Sequence, residues 1–105
     1  MSKIVNKLFV GSLDEAFNDN ITKDIQSMLN VASELDLLPR LEHRYKKISI
    51  NDDDTNEDIT IHINEAVEWI DKEIKQDNSV LVHCLEGRSR SVCICIAYLI
   101  IKQNY

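Results

Sequence analysis

Cys84 and Arg90, spaced Cys-x5-Arg, are the residues of this chain best suited to do chemistry. They bracket Leu85, Glu86, Gly87, Arg88 and Ser89, and Ser91 follows the arginine. Ahead of them Val80-Leu81-Val82 has the apolar character of a short buried strand, and behind them Val92 to Ile101 is an apolar, helix-like run. Strand, small loop and helix build an anion cradle, because loop amides and a helix N-terminus converge on one point. A free thiol near its reference pKa is mostly protonated and a poor nucleophile at neutral pH. Loop amides, a helix start and a guanidinium stabilise the thiolate and draw the pKa into the ~3.5–7.5 range. An arginine also grips two phosphoryl oxygens at once, which lysine does less well. The pattern therefore fits attack by Cys84 on phosphorus, with Leu85 to Arg90 holding the phosphoryl oxygens. The Ser91 hydroxyl is placed to hydrogen-bond the sulfur and help it leave in a second step. His83 is expected to orient the loop through its backbone.

Several elements must position these groups. Lys3 to Val10 reads as an opening strand near a sheet edge, and Ser12 with Glu15 forms a capping-box pattern for a short helix over Leu13 to Asn18. Ile25 to Val31 is a second strand, with Asn30 inside it. Glu34 to Arg44 is irregular around Pro39. Tyr45 to Ile50 alternates as a strand should, and the acidic loop Asn51 to Asp58 follows, with Asp58 or Thr55 as helix cap. Ile59, Ile63, Ala66, Val67, Ile70 and Ile74 fall at helical spacing, predicting a helix to about Lys75. Val92 to Lys102 is apolar on nearly all faces and predicts a central buried helix. Strands alternating with helices around a buried apolar strand predict an α/β fold with a central, mainly parallel sheet flanked by helices.

Composition narrows the function. The 105 residues make one domain over 1–105, and 44% hydrophobic content with two Gly and one Pro supports a packed core. A net charge of −6 argues against nucleic acid or an acidic membrane as partner. The longest apolar run is about half a membrane span. Three Cys, without zinc-ligand spacing or a signal-like start, predict neither metal site nor disulfide framework and a reducing, cytosolic or nuclear setting. Cys93 and Cys95 read as packing residues of the apolar helix, Trp69 as core, and His43 and His62 as surface or edge residues. Arg88 is balanced between a solvated charge and a group at the pocket mouth that attracts acidic or multiply phosphorylated substrates.

His83-Cys84-x-x-Gly87-x-Ser89-Arg90-Ser91 resembles the signature of dual-specificity protein phosphatases, within the cysteine-based protein tyrosine phosphatase superfamily. The resemblance continues through Leu8 to Ser12, Leu29 to Ala32, Tyr45 to Asp52, Asn64 to Asp71 and Ala97 to Ile100. It covers nearly the whole chain. It implies a protein tyrosine phosphatase-like fold and a small, atypical, metal- and cofactor-independent phosphatase of phosphotyrosine and phosphoserine or phosphothreonine in protein substrates. Cys84 takes the phosphoryl group, water hydrolyses the thiophosphate, and an Asp serves as acid and then base. Strand phase points to Asp52 for that role, and the family's usual loop length before the helix points to Asp53. An inserted loop residue reconciles the two and favours Asp52; Asp54 is a poorer candidate. Relatives continue past the apolar helix, so the family's C-terminal helices are expected to be missing or truncated here. An uncovered core face favours a homodimer. The short N-terminus predicts no separate docking domain. Two other readings stand beside the first: a pseudophosphatase or phosphate-binding module, and a phosphatase of a phosphoinositide, phosphoglycan or RNA 5′ end.

Overall fold

The computed structural model describes residues 1–32, 43–50, 59–84 and 89–104. The expected irregular stretch before Arg44, the acidic loop with its cap, and Leu85 to Arg88 lie outside the described residues, apart from His43 and Arg44.

The expected opening strand is two strands. β1 (Ser2–Val5) and β2 (Leu8–Gly11) form an antiparallel hairpin with Val5 opposite Leu8. Asn6-Lys7 makes the turn, and Lys7 takes a left-handed φ of 71°, a conformation uncommon outside Gly and Asn. The Lys7 carbonyl accepts from the Val80 amide at 2.8 Å, and its ammonium meets Asp77 at 2.7 Å. The turn is therefore held by the start of the central strand. The short helix is likewise two pieces, α1 (Leu13–Ala16) and α2 (Asp19–Thr22). Ser12 and Glu15 form the predicted reciprocal capping box, and Asn18 then ends the first turn by capping the second.

β3 (Ser27–Ala32), β4 (Arg44–Ile50) and β5 (Val80–His83) complete a sheet of order β1-β2-β5-β3-β4 among the described residues. All pairings except β1–β2 are parallel, as the apolar runs predicted. Side chains alternate across this sheet. Leu8, Val10, Leu29, Val31, Ile48, Ile50, Val80 and Val82 pack on one face with α3 (Ile59–Lys75) and α4 (Ser89–Lys102). Met28 and Leu81 join Ala16 and Ile25 on the other, with Phe9 and Tyr45 beside them. β5 is buried at every position because both faces and both edges are covered.

α4 departs from its expected complete burial. Ile94, Cys95 and Tyr98 are buried, whereas Ile96, Ile100 and Ile101 are 50%, 57% and 47% exposed, and Cys93 is exposed. A helix laid on one side of a sheet buries only the face it turns inward, and an all-apolar sequence does not mark the outward one. Trp69 is partly buried against the main core, as expected.

The amino-terminal ends of β3 and β4 are tied to α3 by Glu73, which is fully buried. Its carboxylate accepts from Ser27 Oγ at 2.7 Å and from Arg44 Nε and Nη2 at 2.5 and 3.1 Å. Burial pushes this carboxyl up; hydrogen bonds from Arg44 and Ser27 and the Arg44 charge more than reverse the effect, holding it below its usual value. Among the described residues no helix is long and apolar enough to cross a membrane.

Candidate active site

Cys84 directly follows β5 and is 3% exposed. Sheet alternation continues through it: Val80, Val82 and Cys84 share the face covered by α3 and α4. Its Sγ lies 3.3 Å from Ser91 Oγ, within the first turn of α4, and Ser91 is fully buried. The strand end and helix start are thus joined by a sulfur–hydroxyl hydrogen bond. The first-turn amides of the 14-residue α4 carry the helix's positive dipole end, which favours an anion nearby.

Arg90 is half-buried on the same turn, and its Nη1 donates to the Ile50 carbonyl at 3.0 Å. Ile50 is the last residue of β4. The carboxyl ends of β5 and β4 and the amino end of α4 therefore meet at one corner, the edge of a parallel sheet where α/β proteins place their ligands.

His83 is 1% exposed on the sheet face opposite Cys84. Burial pushes its imidazole down to about 4, a backbone hydrogen bond with Cys84 opposing this only in part. It is neutral at physiological pH and adds no positive charge beside the thiol. The predicted orienting role concerned the loop backbone; among the described residues that backbone contact is to Cys84 itself.

Of the predicted site residues, Cys84 and Ser91 are in contact, and Arg90, beside Ser91 on the same turn of α4, reaches the Ile50 carbonyl. Ser89 opens α4. Asp52, Asp53, Leu85, Glu86, Gly87 and Arg88 lie outside the described residues. No disulfide joins Cys84, Cys93 or Cys95 among the described residues, and burial pushes Cys95 up to about 12, so packing is its role as expected. The exposed Cys93 is not a core residue. His43 and His62 are half-buried. No group of three or more His, Cys, Asp or Glu side chains suited to a metal exists among the described residues.

One arrangement was not foreseen. Asn30 is fully buried in β3, accepts from the Ala32 amide at 3.0 Å, and donates to Tyr45 Oη at 3.1 Å. A lone Asn inside Met28-Leu29-Asn30-Val31 was the available signal, since a buried amide in an apolar strand needs partners.

Residues 8–105 match the family model "Dual specificity phosphatase, catalytic domain". Dual specificity protein phosphatase 1 of Arabidopsis thaliana is 39% identical over 106 residues, covering 98% of this chain and 52% of the relative. Dual specificity protein phosphatase 1B of the same plant is 38% identical, covering 99% of this chain and 63% of the relative. The chain thus spans half to two thirds of the length of these relatives. Its fold superposes on the crystal structure of DUSP15 with a TM-score of 0.89 at 22% identity, covering 100% of this chain and 67% of that one. This chain belongs to the dual specificity phosphatase family, and its helix-flanked, mainly parallel sheet is the fold of that catalytic domain.

Proposed function

We propose that this domain hydrolyses phosphate monoesters on protein tyrosine and serine or threonine side chains through a cysteinyl-phosphate intermediate. The observation that carries the reading is the 3.3 Å contact between Cys84 Sγ and Ser91 Oγ at the start of α4. A hydroxyl and a helix N-terminus beside a buried sulfur stabilise its thiolate. The thiolate attacks phosphorus, the S–P bond forms, and the P–O bond to the substrate breaks. The leaving oxygen takes a proton from an aspartic acid. Water then attacks phosphorus, gives its proton to that carboxylate, and the S–P bond breaks to release inorganic phosphate. Arg90 holds two phosphoryl oxygens and spreads the transition-state charge, assisted by Leu85 to Ser89.

Asp52 supplies the acid in this reading. It stands two positions after Ile50, whose carbonyl meets Arg90 at 3.0 Å, so a span of at most ~7 Å separates their Cα atoms. Asp53 is one residue further and is the competing candidate.

Three variants test the proposal on a phosphotyrosine peptide and on an aryl phosphate with an acidic leaving group. Cys84→Ser abolishes turnover of both. The true acid, changed to Asn, slows the peptide by about 10²–10⁴-fold and the activated aryl phosphate far less. Asp52→Asn is expected to show this split and Asp53→Asn not; the reverse reassigns the acid. Full turnover by Cys84→Ser refutes the mechanism.

A further inference from the structure

We propose that Asn30 is a positioning residue for Arg90, acting through the end of β4. The inference rests on the reading of Arg90 as the phosphate-holding group. β3 and β4 pair in step from Ser27 opposite Arg44 to Asn30 opposite Lys47, and the next pair is Ala32 opposite Ile50. Two steps on β3 therefore match three on β4, a bulge with its extra residue on β4. Without it Ala32 would stand opposite Ser49, and Ile50 would lie one strand step, about 3.3 Å, further along.

The side chain of Asn30 occupies this irregularity. Its Oδ1 accepts the Ala32 amide at 3.0 Å, a donor that a regular ladder would give to a neighbouring strand. The Ala32 bond fixes which amide atom is the oxygen, leaving Nδ2 to donate to Tyr45 Oη at 3.1 Å. Tyr45 belongs to β4, so the carboxamide is anchored on the strand whose register it helps to shift. At the far end of that strand the Ile50 carbonyl receives Arg90 Nη1 at 3.0 Å. A displacement of one strand step takes that carbonyl out of hydrogen-bond range and releases the guanidinium from its orientation. Asn30 touches neither substrate nor sulfur; it aims the arginine from the opposite face of the sheet.

A double-mutant cycle with inorganic phosphate as competitive inhibitor tests this. Asn30→Leu is expected to weaken phosphate binding roughly tenfold, the size of one hydrogen bond to a charged group. Asn30→Asp, which keeps the acceptor for Ala32 and accepts from Tyr45, restores most of the affinity. In an Arg90→Ala background the Asn30→Leu effect disappears. Tyr45→Phe, which deletes one hydroxyl, gives a smaller loss with the same dependence on Arg90 and serves if Asn30→Leu does not fold. Equal losses with and without Arg90, or no loss from Asn30→Leu and Tyr45→Phe, overturn the inference while leaving the arginine's role intact. Unchanged phosphate binding in Arg90→Ala alone overturns that role and this inference with it.

Discussion

Replacing Ser91 by alanine removes one oxygen from a fully buried position 3.3 Å from the Cys84 sulfur. When the sulfur is a thiolate, the hydroxyl must be the donor. A hydrogen bond to a charged partner contributes about 1.5–3 kcal/mol. At 1.36 kcal/mol per unit, its loss raises the Cys84 pKa by roughly 1–2 units. The same energy stabilises sulfur as the leaving group, so hydrolysis of the cysteinyl phosphate slows by roughly 10- to 100-fold. Alkylation by iodoacetate, followed against pH, reads the first effect. A Cys93→Ser background removes the exposed thiol, and Cys95, pushed up to about 12, stays silent. Rapid-mixing kinetics read the second: Ser91→Ala releases a stoichiometric burst of aryl alcohol ahead of phosphate. An unshifted alkylation midpoint together with no burst would show that the hydroxyl does not serve the sulfur, and the proposed chemistry of this corner would lose its main support.

Two further predictions concern stability. Glu73→Leu leaves the fully buried Ser27 hydroxyl without the acceptor it meets at 2.7 Å, at a cost of about 1–3 kcal/mol in denaturant unfolding. Because the folded Glu73 carboxyl lies below its unfolded value, its contribution is complete above pH ~4.5 and is lost as pH falls through the folded value. Glu73→Gln should therefore flatten the acid limb below that point, and an unchanged limb would show that the Arg44 pairing stores no pH-dependent stability. His83 behaves in the same sense but in a higher window. Its unfolded state takes a proton near pH 6.5 and its folded state only at about 4, so stability is complete above 6.5 and falls between those values as pH drops. That loss amounts to about 3 kcal/mol, and His83→Asn, if folded, should abolish the slope between pH 6.5 and 4.5; a slope that persists would show that another group controls it.

The strands and long helices were legible because their patterns were local. Tyr45 to Ile50 alternates, Val80 to Val82 is continuously apolar, and Ile59 to Lys75 repeats at helical spacing, so β4, β5 and α3 fall where expected. The hairpin at Asn6-Lys7 was hidden because Lys gives no sign of adopting a left-handed φ; the Val80 amide that accompanies it comes from a distant segment. Glu73 looked like one more charge on an amphipathic helix. Its burial depends on Ser27 and Arg44, partners 46 and 29 residues away. For the candidate site, the types and spacing of Cys84, Arg90 and Ser91 could be read directly, since a loop between a strand and a helix is a local motif. The Ile50 contact could not, because it follows from a register shift between β3 and β4 that neither strand's alternation records.

The parallel sheet gives these distances a common cause. β3, β4 and β5 run the same way, so their first residues gather at one edge and their last at the other. The first edge holds Ser27, Arg44 and Glu73, a closed set of charges and hydrogen bonds that fastens α3 to the strands. The second holds Cys84, Ile50 and Arg90, where the α4 dipole and a buried hydroxyl favour an anion. An unpaired buried charge is costly wherever it occurs. In the proposed mechanism a thiolate at the second edge is tolerable because Ser91 and the helix start offset that cost, and the same groups would receive a phosphoryl anion. The sheet thus separates the polar set that only stabilises the fold from the polar set available for chemistry. Asn30 and His83, paired across β3 and β5 close to the second edge, lie on the face away from the sulfur. From there they can set geometry without adding charge to the thiol's surroundings.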